Sequence, residues 1–335
     1  MNYIVFDLEW NQSPQGKQFS NPRLPFEIIE IGAVRMNEHL EILDSFQCLI
    51  QPSVYHWIHN SIHDVIHVDY KDLQNGVPFA RAASDFFAWA GRDGDYCFCT
   101  WGDQDVMELQ RNLDYYHLLK LLPGPVVYLD VQKLFALEFE TYQNRRSLEY
   151  AIDFLKIEKN HGFHRALEDA HFTGEVMSHL NPEQFASSLS LDCYQHPSSR
   201  KDETLIEGPG YSKYVSREFL SKERALRDRE VSSTCCPICK APSRRTIRWF
   251  SNNSKAYYCL ALCKEHGEIM GKIRIRKIDN NRCFAMKTLR LVSYTELGSL
   301  KSAPASILQK QKEEIIAKRE LLRQKQHQHK SQEEV

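Results

Sequence analysis

No stretch of this 335-residue chain stays apolar and uncharged for the ~20 positions that a membrane-spanning helix needs. The N-terminus has one short apolar run, Tyr3 to Phe6, which Asp7 and Glu9 break at once. It lacks the basic flank and longer apolar segment of a secretory signal. No internal repeat is visible. With 42% hydrophobic and 26% charged residues, a disordered or collagen-like chain is excluded. The expectation is a soluble, cytoplasmic protein of two domains, with no membrane partner, at roughly 100–200 residues per domain.

Net charge is nearly absent too, at −1, but it conceals an asymmetry. Residues 1–180 hold 14 Lys and Arg against 26 Asp and Glu, and the remainder holds 29 against 18. An acidic half joined to a basic half is expected if the first gathers metal ions and the second holds a polyanion. Two domains that merely differ in surface would give the same counts. Five of the ten cysteines, Cys235, Cys236, Cys239, Cys259 and Cys263, fall within 29 positions. Without a secretion signal, that clustering points to metal rather than disulfides.

Residues 1–180 alternate strand and helix patterns. Strands are expected at Asn2–Glu9, Glu27–Met36, Glu41–Ile50, Tyr96–Trp101 and Val126–Leu129. Helical spacing runs through Phe79, Ala82, Phe86 and Phe87, through Leu148 to Leu155, and from Ala166 to Met177. This predicts an α/β domain: a mixed sheet with helices packed on it. Turn formers and charges, among them Gly208-Pro209-Gly210, predict a linker over 181–210. A basic, β-rich domain is expected over 211–300, opening with a charged helix at Ser216–Glu230. Its strands fall at 245–250, 255–262, 268–278 and 282–293. The Lys/Gln/Glu-rich residues 301–335 predict a solvated helix that frays into disorder.

Asp7 and Glu9 are two apart in an apolar strand, so both carboxylates project from one face. That pairing is electrostatically costly unless a cation sits between them, and hard ions such as Mg²⁺ or Mn²⁺ take such oxygen ligands. An exposed strand end with two solvated acids is the plain alternative. His164 and Asp169 form a second candidate. Their spacing alone says little, since His39/Asp44, His59/Asp64 and His67/Asp72 share it. Context separates them: five helical residues turn through roughly 140°, so the histidine must lie just before the helix, and Gly162-Phe163-His164 does. Asp105 is the third, where a strand turns into a helix at Thr100-Trp101-Gly102-Asp103-Gln104-Asp105. Either aspartate there could be only an N-cap.

Taken in order, FDLEW, EIIEIGAV, WGDQD and HRALEDA resemble the DEDDh 3′–5′ exonucleases, the DnaQ-like branch of the ribonuclease H-like fold. The resemblance covers residues 1–180. WGDQD looks most like the KapD-like and small-RNA- or histone-mRNA-trimming exoribonucleases, which carries the catalytic role to Asp105 and not Asp103. Every family position is filled, which argues against an inactive relative. The resemblance implies two Mg²⁺ or Mn²⁺ ions per active site. Asp7 would bridge both, Glu9 and Asp169 would complete one, and Asp105 would hold the other, largely through water. His164 would take a proton from the attacking water.

Cys236-Pro-Ile-Cys239 and Cys263-Lys-Glu-His266 share the x2 spacing of metal knuckles. They predict one structural Zn²⁺ of Cys₃His type in a zinc ribbon. Cys259 could replace Cys263 or His266, and Cys235 could replace Cys236; Cys259 reads more simply as a buried thiol. Lys272, Arg274 and Arg276 alternate with isoleucines, so they share one strand face. With Arg248 nearby, and Trp249, Tyr257 and Tyr258 for stacking, that surface suits single-stranded nucleic acid. A solvated face over a small core would look the same. The combined expectation is a metal-dependent 3′–5′ exonuclease with a basic zinc ribbon. A DNA proofreading or repair exonuclease, or a zinc-ribbon regulator with a vestigial nuclease, are the rivals.

Overall fold

In the computed structural model of the chain, the apolar run at Tyr3–Phe6 continues through the acidic positions as one long strand, β1 (Asn2–Gln12). The structure describes residues 1–57, 70–140, 144–159, 165–251, 256–292, 310 and 312–324. The chain divides into two units, Met1–Asn181 with Leu189–Gln195, and Pro182–Ser188 with His196–Val335.

The first unit is a mixed α/β sheet with flanking helices, the ribonuclease H-like arrangement. Antiparallel to β1 runs β2 (Phe26–Met36), and antiparallel to that β3 (Ile42–Leu49). On its other side β1 is parallel to β4 (Tyr96–Thr100), then come β5 (Val126–Asp130) and β6 (Ser190–Asp192). The strand order is β3-β2-β1-β4-β5-β6. The helices are α1 (Tyr70–Gln74), α2 (Phe79–Ala90), α3 (Gln104–Tyr115), α4 (Val131–Glu138), α5 (Leu148–Leu155) and α6 (Ala166–Ser178).

The period of two in β1 sorts its side chains onto two faces. Ile4, Phe6 and Leu8 join Phe79, Phe86, Val106 and Leu109 in one core, so α2 and α3 cover that face. Phe6 meets the ring of Phe98 at 5.1 Å. The opposite face, with Asp7 and Glu9, is the α6 side. Gly174 of α6 lies against Val34 and Met36 of β2. Helices on both faces explain why β2 is buried from Glu27 to Met36.

The second unit is a wholly antiparallel six-stranded sheet. Its strands are β7 (Thr204–Gly208), β8 (Tyr211–Val215), β9 (Arg244–Ser251), β10 (Ala256–Cys263), β11 (Gly267–Lys277) and β12 (Cys283–Leu291), in the order β7-β8-β12-β11-β10-β9. Short helices α7 (Phe185–Ser188), α8 (Lys222–Arg227) and α9 (Arg229–Ser232) accompany it.

Three expectations change. The segment 181–210 is not a bare linker: it supplies β6 to the first sheet and β7 to the second, strands too short for their periodicity to show. Ser216–Glu230 is not one helix. Asp228 leaves helical geometry at ψ 137° and its side chain accepts from the N–H groups of Glu230 and Val231, ending α8 and capping α9. The tail is not solvated throughout, because a helix over 312–324, α10, buries Ile315 against Phe250 and Leu260. Among the described residues no helix is long and apolar enough to cross a membrane.

Candidate active site

Asp7 faces Gly32, and Glu9 faces Glu30, across the β1–β2 ladder. Gly32 is there because α6 presses on it: a Cβ at that position would lie 2.0 Å from the backbone nitrogen of Leu167. That close approach brings Asp169, in the first turn of α6, to the two strand acids. Asp7, Glu9 and Asp169 each offer an oxygen, all within 4.8 Å of one another.

Asp105 enters from the other side of β1, in the first turn of α3, where it is buried. Its Oδ1 accepts from the N–H of Leu8 at 3.2 Å, which ties it between Asp7 and Glu9 in sequence. Asp103 holds the N-cap position but makes no side-chain capping bond. His164 lies outside the described residues.

Two site residues were not foreseen. Arg165 occupies the N-cap position of α6 without a side-chain capping bond, and donates from Nη2 to Glu30 Oε1 at 2.9 Å and from Nε to Oε2 at 3.1 Å. Glu30 is buried and also accepts from Gln47 Nε2 at 2.7 Å. The only sequence signal was a pair of acids, Glu27 and Glu30, in a largely apolar strand, EIIEIGAV.

Crowding of acids sets the electrostatics. Burial, then the charges of Asp105, Glu9 and Asp169, hold Asp7 well above the usual carboxylate range. Burial, then Asp169, Glu30 and Asp105, push Glu9 up to about 8, against the pull of Arg165. Burial lifts Asp105 to about 7, although the Leu8 N–H and its own backbone N–H lower it. Such a set wants a cation. The separations suit a hard divalent ion, around which oxygen ligands at ~2.0–2.6 Å lie roughly 3–5 Å apart.

Residues 4–177 match the exonuclease family (RNase_T). The chain belongs to that family. No curated protein sequence matches it. Among solved structures, this exonuclease is similar to a full-length 3′-exonuclease, at 17% identity and TM-score 0.47, covering 62% of this chain and 93% of that one. It is also similar to the nuclease domain of 3′hExo, a DEDDh family member bound to rAMP, at 17% identity and TM-score 0.49, covering 57% and 96%. A third is S. pombe Pop2p in its Mg²⁺- and Mn²⁺-bound form, at 18% identity and TM-score 0.40, covering 53% and 81%.

In the exonuclease's second unit, Cys236, Cys239, Cys263 and His266 form a group with ligand atoms within 4.8 Å of one another. Cys239 Sγ lies 3.6 Å from Cys263 Sγ, which lies 3.7 Å from His266 Nδ1. Ligands of a tetrahedral zinc with Zn–S of ~2.3 Å would be roughly 3.8 Å apart, so the residues fit the ion. Burial opposes ionisation of Cys263, but N–H groups of His266 and Glu265, the His266 ring and Cys239 bring it down to about 6. Cys235 and Cys259 are not in the group. Cys259 sits opposite Gly271 in the sheet, where burial pushes it up to about 12.

Lys272, Arg274 and Arg276 do share one face of β11, with Ile273 and Ile275 buried on the other. Arg248 is exposed on the edge strand β9. The aromatics divide differently from expectation. Trp249 points to the opposite face, donating from Nε1 to Ser232 O at 2.9 Å, and Tyr257 packs in the same core. Only Tyr258 joins the basic side.

Proposed function

We propose that the protein is a metal-dependent 3′–5′ exonuclease releasing nucleoside 5′-monophosphates from single-stranded nucleic acid, with RNA favoured over DNA. The observation that carries this is the convergence of Asp7, Glu9 and Asp169 within 4.8 Å, backed by buried Asp105. The direction of cleavage rests on the likeness of FDLEW, EIIEIGAV, WGDQD and HRALEDA to the DEDDh exonucleases, and the preference for RNA on that of WGDQD to the KapD-like and small-RNA- or histone-mRNA-trimming branch.

Asp7 would touch both of two Mg²⁺ or Mn²⁺ ions, Glu9 and Asp169 would complete one, and Asp105 would serve the other. When bound, such ions supply the charge that the scissile phosphate needs and a more acidic water. The chain's own groups do the rest. Leu8 N–H orients Asp105, the contact of α6 with Gly32 orients Asp169, and the Arg165–Glu30 pair holds the start of α6. His164, five residues before Asp169, is the proposed proton acceptor from the attacking water. Cys236, Cys239, Cys263 and His266 would hold one structural Zn²⁺ in a zinc-ribbon-like corner of the second sheet.

The test is digestion of end-labelled single-stranded RNA and DNA with Mg²⁺ or Mn²⁺. Release of 5′-monophosphates from the 3′ end, faster on RNA and lost in Asp7→Asn, is expected. Equal or greater rates on DNA would overturn the RNA preference.

A further inference from the structure

Helix α10 converts the basic strand face into a groove. Ile315 is buried with Phe250 and Leu260, and Ile316 and Leu322 pack beside it. This seats Lys318 over the Tyr258 ring at 5.3 Å and Arg319 over the Phe250 ring at 5.5 Å. Lys272 reaches the same Tyr258 from β11 at 5.6 Å. Between β9 and α10 lies a cavity of about 470 Å³, lined by Arg248, Arg319, Arg323, Glu320, Ile247 and Ile316 among others.

Seven cations therefore share this side of the second unit: Arg248, Lys272, Arg274, Arg276, Lys318, Arg319 and Arg323. Lys318 has Glu314 at 3.9 Å; among the described residues the other six have no carboxylate at ion-pair distance. By contrast, Arg217 of the same unit meets both Glu203 and Asp228, and Arg282 meets both Glu218 and Asp279. The crowding is felt by the groups themselves. Burial, then Arg274 and Lys318, pull Lys272 down to about 8, and burial, then Arg323, lowers Arg319.

A set of like charges that outnumbers its neighbouring carboxylates, Glu314 and Glu320, is a standing cost that a polyanion removes. Guanidinium groups match phosphate geometry well. The rings here are engaged by cations and Phe250 is buried, so the groove offers charge rather than a stacking surface. Such a surface grips phosphates without reading bases.

We propose that the groove between β9 and α10 binds the phosphodiester backbone of a single-stranded nucleic acid, with Arg248, Arg319 and Arg323 as its principal contacts. The proposal rests on the reading of the substrate as a nucleic-acid strand and adds α10 as half of the binding surface.

The test uses full-length Asp7→Asn protein in buffer with no added Mg²⁺ or Mn²⁺ and no chelator, with a fluorescein-labelled 20-nucleotide oligouridylate titrated across a KCl series. The triple variant Arg248→Gln, Arg319→Gln, Arg323→Gln should weaken binding about tenfold or more at 0.1 M salt. Its log–log salt slope should flatten by about 2, since each lost phosphate contact removes ~0.7 on single strands. The triple Arg→Lys variant should keep the slope. An unchanged slope in a Gln triple that melts like the parent overturns the proposal. If the triple fails to fold, Arg248→Gln and Arg323→Gln alone, both at exposed positions, should each flatten the slope by about 0.7. No flattening in either overturns it equally. Binding of polyglutamate or phosphatidylserine vesicles in place of the oligonucleotide, lost in the same variants, would assign the groove to another polyanion and also overturn it. Because binding is read without added Mg²⁺ or Mn²⁺, it is separable from hydrolysis: wild-type protein that cleaves nothing refutes the exonuclease reading and leaves the slope to decide the groove.

Discussion

Arg165 grips Glu30 through two hydrogen bonds of 2.9 and 3.1 Å, and Glu30 stands directly opposite Glu9 in the β1–β2 ladder. One guanidinium thus anchors the first residue before α6 to the strand beside the site acids. Its charge also opposes the upward shift of the Glu9 carboxyl.

Glu30→Gln should therefore loosen Asp169 without removing any proposed ligand. The expected result is a loss of roughly 10–100-fold in metal affinity or turnover, the usual effect of removing an outer-shell partner. Titrating activity with Mn²⁺ reads it. A variant with wild-type turnover and metal dependence would show the pair to be ornamental.

Gly32→Ala is the sharpest packing test. The new methyl would meet the backbone of Ala166 and Leu167, which cannot swing aside as a side chain would. Urea unfolding should show a loss of about 1–3 kcal/mol or more, as for overpacked cores. Activity should fall too, because α6 carries Asp169. A midpoint unchanged from wild type would contradict the contact.

Acidity links the site to stability. Glu9 is raised from 4.5 to about 8 and Asp105 from 3.8 to about 7 in the metal-free fold. A raised folded-state pKa means the stabilisation is fully present below the unfolded values. It is lost as pH climbs through about 7 to 8. In EDTA, the melting temperature should fall between pH 6 and 9, and at pH 8 Asp7→Asn should melt higher than wild type. Mn²⁺ should restore the wild type at pH 8 and do little for the variant. A flat profile in EDTA, or equal rescue of both, would count against the cation site.

Much of this was readable in advance. The acids at 7, 9 and 169 followed from a period of two in a strand and from a helix start, both local patterns. The Arg165–Glu30 pair was not readable, because its partners are 135 residues apart and meet only through the strand register. The basic face was half-read. Trp249 and Tyr257 alternate with Phe250 and Tyr258 and so fall on the other face, while register shifts in the β9–β10 pairing bring Ile247 to the α10 side beside Phe250. The packing of α10 stayed hidden because Ile315, Ile316 and Leu322 are a thin stripe in a Lys/Gln/Glu-rich run.

The cysteine group predicts one zinc per chain by elemental analysis. Cys239→Ser should lose it, and Cys235→Ser and Cys259→Ala should keep it. Loss of zinc in Cys259→Ala that still folds would move the ligand set.

The most direct measurement is the turnover of Asp7→Asn on 5′-end-labelled single-stranded RNA with Mn²⁺. Wild type should shorten the strand stepwise from its 3′ end and release 5′-monophosphates. The variant should lose at least about a hundredfold in rate, since a metal ligand is worth several kcal/mol of transition-state stabilisation. A variant that folds and keeps more than about a tenth of the wild-type rate would contradict the account.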